Sequence, residues 1–199
     1  ALDVETVIIG GVPYAVIAQR LDTASSAGGF TVVKLTDSNG NITSTSPSVV
    51  KQVKDGEPVA GSLNAALGNL AAISLQTISS TTYLFTIGTN SVNKGTFQVY
   101  DLNKLISNDN TALIKQIEDN DSNVRIDNPT DIATNIAGDA VYAYITSERD
   151  TGATLSYLES LSFDPSTSII SPDTSGIQSF SDWDFFASAS ITNGSKSFW

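Results

Sequence analysis

Residues 69–88 read NLAAISLQTISSTTYLFTIG, and this stretch decides the fold. Two apolar runs flank the small polar pair Ser79-Ser80, and the second run carries Tyr83, Leu84 and Phe85. Short runs rich in β-branched and aromatic residues, separated by a two-residue turn, read as a β-hairpin. The same phrase occurs earlier as VIIGGVPYAVIA around Tyr14 and later as ATNIAGDAVYAYIT around Tyr142. It starts again near the end as SASITNGSKSFW, where Phe198 takes the tyrosine position. One hairpin written four times makes this a repeat protein.

Each hairpin leads into further strands. In the first unit, about 2–60, strands are expected at 2–9, 13–20, 30–35 and 49–53, the first two joined at Gly10-Gly11. Glycine reaches positive φ without penalty, so this pair is a strong hairpin signal. The 13–20 strand is apolar on both faces, as expected of a strand with neighbours on both sides. The fourth strand, in VVKQVKD, interleaves polar residues, as expected at a sheet edge.

The second unit, about 69–122, repeats the plan with strands at 70–78, 82–87, 96–102 and 113–117. Its last strand, ALIKQIED, mirrors VVKQVKD, Lys115-Gln116 standing for Lys51-Gln52. The third unit, about 131–175, places strands at 132–137, 141–146, 154–163 and 168–171. An incomplete fourth unit covers 183–199. Single helical turns are expected at 61–68, through Leu63, Ala66 and Leu67, and at 101–106. The whole of 1–199 is therefore expected to be one all-β repeat domain, a β-propeller-like array of four-stranded antiparallel blades, three units plus the start of a fourth. A β-sandwich is the alternative, since it too shows many short strands with turn signals.

The phrase GGVPYAVIAQRLD followed by GFTVVKLTDSNGNI resembles the repeat of bacterial lactonase-like β-propellers, which occur as arrays in large secreted calcium-binding and adhesin-type surface proteins. The matching elements in the first unit are the Gly10-Gly11 turn, the Tyr14-Ala15-Val16-Ile17 strand, Gly29 opening FTVVKL, and DSNGNI. The second unit matches through Tyr83-Leu84-Phe85 and Gly95 opening TFQVYDL, the third through Tyr142-Ala143-Tyr144-Ile145 and Gly152. The resemblance implies a scaffold that displays loops, and a propeller fold fixes no activity by itself.

Composition narrows the chemistry. Ten Lys and Arg stand against 21 Asp and Glu, a net charge of −11 that disfavours nucleic acid and anionic lipid as partners. There is no run of 18 apolar residues, so no membrane insertion by a helix is expected. Cysteine, methionine and histidine are all absent. Without histidine there is no Ser-His-Asp or Cys-His nucleophile and no ordinary zinc site. An enzyme on this chain would have to work with carboxylates and a metal. The lack of an initiating methionine and the Ser, Thr, Asn and Asp-rich composition read as a processed or excerpted chain of an exported, extracellular or cell-surface protein.

Two constellations stand out. Asp119, Asp121 and Asn123 have the alternating oxygen spacing with which a loop wraps calcium, the one candidate cofactor. The full EF-hand pattern fails, because Val124 stands where glycine is needed and Thr130 where the bidentate Glu should be. Asp55 holds the matching place in the first unit, which fits a repeated turn as well as a ligand set. Trp183, Phe185, Phe186, Phe198 and Trp199 crowd the last stretch, as core of a fourth blade or as a partner and assembly patch. The leading expectation is a non-enzymatic structural or adhesive scaffold whose partners are copies of itself, further repeats of a longer parent, or a cell-surface protein or glycan. The alternatives are a metal-dependent lactonase-like hydrolase and a carbohydrate-binding module.

Overall fold

The computed structural model describes residues 2–19, 28–37, 39–42, 47–60, 63–90, 94–119, 121, 124–147, 155–172 and 178–181. The incomplete fourth unit, with Trp183, Phe185, Phe186, Phe198 and Trp199, lies outside them, as do Asn123 and Gly152.

The chain is all-β, with three four-stranded antiparallel sheets in sequence order. The first holds β1 (Asp3–Ile9), β2 (Val12–Gln19), β3 (Gly29–Lys34) and β4 (Ser48–Lys54). A small hairpin of β5 (Pro58–Ala60) and β6 (Leu63–Asn64) follows. The second sheet holds β7 (Asn69–Ile78), β8 (Thr81–Thr89), β9 (Gly95–Asp101) and β10 (Leu113–Glu118), with the one-turn helix α1 (Leu102–Ile106) between the last two. The third holds β11 (Pro129–Ala137), β12 (Ala140–Ser147), β13 (Leu155–Asp164) and β14 (Ile169–Pro172). A further strand, β15 (Gln178–Ser181), pairs with the other half of β13, so the fourth strand of this sheet is split.

Register turns the written repeat into a geometric one. All three opening hairpins have two-residue turns, closed by Ile9–Val12, Ile78–Thr81 and Ala137–Ala140. The first turn residue has positive φ in each: 57° at Gly10, 57° at Ser79 and 64° at Gly138. That backbone matches the right-handed twist of the strands it joins. The marker tyrosines then fall at one place, the third residue of the second strand, Tyr14, Tyr83 and Tyr142. The fourth strands agree as well. Lys51 lies opposite Val32 and Lys115 opposite Val99, and in both sheets one extra residue, Val50 or Ile114, bulges just before that lysine.

Side chains alternate across a strand, so each sheet has two faces, and the middle sheet is covered on both. On one side Leu70, Ile73, Leu84 and Tyr100 pack with Val16, Phe30, Val32 and Val53 of the first sheet. Phe30 and Tyr100 meet edge to face, their centroids 5.2 Å apart. On the other side Tyr83, Phe85 and Phe97 pack with Val141, Ile145, Leu161 and Phe163 of the third sheet. Every residue of β8 after Thr81 is buried as a result. The first sheet differs. Tyr14, Val16 and Ala18 face the core, but Pro13 and Ile17 on the reverse face are only half-buried, with no second sheet over them among the described residues.

The helical turn expected at 101–106 forms as α1, capped by Asp101, whose carboxylate accepts the Lys104 N–H at 3.1 Å. The one expected at 61–68 does not form. Ala65 N–H bonds the Glu57 carbonyl and Gly56 N–H the Ala65 carbonyl, folding this connection back as the β5–β6 hairpin. The Ala65 and Leu67 amides are thus taken by Glu57 and Asp55, acceptors outside the expected turn.

Phe85 is fully buried between two sheets, stacked on Phe97 at 6.0 Å and edge-on to Phe163 at 5.9 Å. Phe85→Ala is therefore expected to cost about 3–5 kcal/mol in urea unfolding. A loss under ~1 kcal/mol would place that face of β8 at the surface.

Candidate functional site

The strongest polar site lies on the crossover from the second sheet to the third. β10 ends at Glu118, and the chain turns at Asp119 toward Pro129. Asp119 N–H bonds the Gly95 carbonyl at 2.8 Å, extending the sheet by one link. Its carboxylate then accepts the Ile126 N–H at 3.0 Å, tying the far end of the crossover to the end of β10. Asp121 acts more locally. Its Oδ2 accepts the Glu118 N–H at 2.9 Å, and its carbonyl accepts Val124 N–H at 2.9 Å.

The crossover from the first sheet to the second repeats this. Asp55 N–H bonds the Gly28 carbonyl at 2.9 Å, and its carboxylate accepts Leu67 N–H at 2.7 Å. Glycine completes both locks by allowing close approach of the returning chain. A Cβ on Gly95 would collide with the Ile126 carbonyl oxygen, and one on Gly28 with the Leu67 carbonyl oxygen. The correspondence of Asp55 with Asp119 is thus a repeated turn-and-tether. Each carboxylate satisfies a backbone donor that the crossover would otherwise bury unpaired.

Asp119 and Asp121 lie close in sequence, but both carboxylates point at backbone amides. Among the described residues no three His, Cys, Asp or Glu side chains are grouped as a metal would need. The five aromatics of the last stretch fall outside the described residues.

One functional-looking residue escaped the reading of the sequence. Glu159, in the middle of β13, has no solvent exposure. It shares the sheet face of Leu161 and Phe163, turned toward the second sheet. Its Oε2 accepts Arg125 N–H at 3.4 Å, one residue before the amide that Asp119 holds. Its Oε1 has no hydrogen-bond partner. Burial pushes the Glu159 carboxyl up to about 7, Asp119 adds to the rise, and the Arg125 amide and charge oppose it. The signal was present in YLESLSF, where period-two alternation puts Glu159 in line with Leu161 and Phe163.

The other exposed feature is apolar. On the reverse face of the first sheet Val4 is 52% exposed, Ile8 70% and Val49 66%. Register sets Val4 beside Ile17, Thr31 and Gln52, and Val49 beside Val33 and Ala15, so the two central rows carry no charge. No described helix is long and apolar enough to cross a membrane. No family model, no curated protein and no solved structure matches this chain.

A hydrogen bond to a charged acceptor is worth about 1.5–3 kcal/mol. Asp55→Ala and Asp119→Ala are each expected to lose that much in urea unfolding, and by similar amounts because the tethers are equivalent. A loss at one site alone would break the equivalence. A melting curve in chelator and in added calcium reads any ion at Asp119 and Asp121 separately, because an ion bound only by the folded state raises the melting temperature.

Proposed function

We propose that this chain is a non-enzymatic structural or adhesive scaffold of the β-propeller kind, working outside the cell by stacking sheet on sheet with copies of itself, with further repeats, or with a surface partner. The observation that carries this reading is the polarity of the stacking. Tyr14 of the first sheet faces the second sheet, and Tyr83 of the second faces the third. Leu84 faces back toward the first sheet, and Ala143 and Ile145 back toward the second. The tyrosine face of one sheet thus covers the opposite face of the next, twice over, and the rule has no internal stop.

The first sheet offers the face that such a rule would cover, with Val4, Ile8 and Val49 open to water. A preceding sheet of the same kind, from another copy or a longer parent, would bury it at about 25 cal/mol for each Å² of apolar surface. Head-to-tail contacts close into a ring if the rotation allows, and otherwise grow as a filament. The likeness of the repeat to arrays in secreted surface proteins, the acidic surface and the absence of histidine support the same reading.

Light scattering across a concentration series tests it. The wild-type chain is expected to assemble with rising concentration. A Val4→Lys, Ile8→Lys double variant should stay monomeric with an unchanged melting temperature, since both side chains lie outside the packed core. A wild-type chain that stays monomeric at every concentration, with its β1 amides protected from exchange, would overturn the proposal.

A further inference from the structure

We propose that Glu159 is a proton-operated switch in the layer between the second and third sheets: neutral, it lets that buried layer close over it, and ionised, it drives the layer to open to water. Three geometric facts carry this. The first is complete burial on the face that packs on the second sheet, with one carboxylate oxygen bonded to the crossover and the other unpartnered. The second is position. β14 pairs with β13 from Leu161 to Asp164 and β15 from Leu155 to Leu158, so among the described residues Glu159 and Ser160 have no fourth-strand partner. Ser160 is also buried with its hydroxyl unpartnered.

The third is the company Glu159 keeps. Two charged groups act on it, both on the crossover: Arg125, which favours the ionised form, and Asp119, which opposes it. Its partner across β12 is Ile145, which is apolar. The facing side of the second sheet presents Tyr83, Phe85, Phe97 and Val99. Of these only Tyr83 titrates, and burial raises it above its ordinary 10. A buried carboxylate with a single long amide bond keeps its proton unless the surroundings open to water.

The sign follows from linkage. The folded chain holds the Glu159 proton up to about 7, the unfolded chain only to about 4.5. Stability from this group is complete below the unfolded value, falls as pH rises between the two, and levels off above the folded one. At its steepest the unfolding constant should rise about tenfold per pH unit, the slope of one proton.

The test compares the full-length wild-type chain with Glu159→Gln, which keeps the shape and cannot ionise. Wild-type stability should fall through this interval relative to Glu159→Gln, which also cancels the smaller contribution of the raised Glu5. Amide exchange at Ile145 and Leu161, beside Glu159 in that layer, corrected for intrinsic rates, should quicken above pH 7 in the wild type alone. Parallel pH curves, or amides better protected in the alkaline wild type, overturn the proposal. If the variant fails to fold, a carbon NMR titration of the wild-type Glu159 carboxyl decides: a midpoint near 7 supports the switch and one near 4.5 sinks it.

Discussion

From Thr82 to Thr89, β8 sends buried side chains to both sides of its sheet, Tyr83 and Phe85 one way and Leu84 the other. A strand of this kind is stable only when both faces are kept from water, and one sheet cannot supply both covers. The first and third sheets exist, in energetic terms, to close those two faces. Their own sequences follow suit: Val16, Phe30 and Val53 converge on one layer, and Val141, Ile145 and Phe163 on the other. Large rings at matching heights fix how the layers seat, through the Phe30–Tyr100 and Tyr83–Phe163 edge contacts.

Three sheets so alike must also be kept from merging edge to edge. β1, β7 and β11 are all edge strands, and each carries backbone groups that no ladder uses. Side chains take those groups instead. Asp3 on β1 accepts the Ile73 N–H of β7 at 3.0 Å. Gln76 of β7 donates to the Thr134 carbonyl of β11 at 3.0 Å, and the Ser74 and Thr134 hydroxyls meet at 2.7 Å. A side chain reaching across holds two edges near each other without letting them pair. The opening strands can therefore lie side by side while the sheets remain separate layers, and the Asp55 and Asp119 tethers fix where each crossover lands.

Most of the strands were legible because their code is local. Period-two alternation and two-residue turns are written within about ten residues, so 70–78 and 82–87 differ from β7 and β8 by a residue or two at the ends. The equivalence of Lys51 with Lys115 was legible for the same reason, and the shared bulge explains why the two strands look alike. The β5–β6 hairpin was hidden, because its amides are claimed by Glu57 and Asp55, acceptors that only folding brings near. β15 was hidden because its pairing with the first half of β13, Leu155 opposite Ser181, is not written in any local pattern. The acidic loop was visible as a cluster of oxygens. Whether those oxygens turn toward an ion or toward amides depends on where Ile126 returns, and spacing does not carry that.

Charge is distributed in a way that bears on how such a chain meets its neighbours. It carries a net −11, yet among the buried described residues Glu159 is the only Asp, Glu, Lys or Arg. Two ion pairs, Lys51 with Glu57 and Lys94 with Glu118, each join a strand residue to a loop residue. Like charge spread over loops repels random approach of a second molecule, and over a Debye length of about 8 Å that repulsion is set by salt. A neutral sheet face feels it least, because apolar contact gains area without having to strip water from a charge. If copies stack as proposed, the open face of the first sheet is where this repulsion is weakest. Salt should accordingly lower the barrier to approach while leaving unchanged which face is used, and that separates stacking from aggregation, where loss of repulsion opens every surface at once.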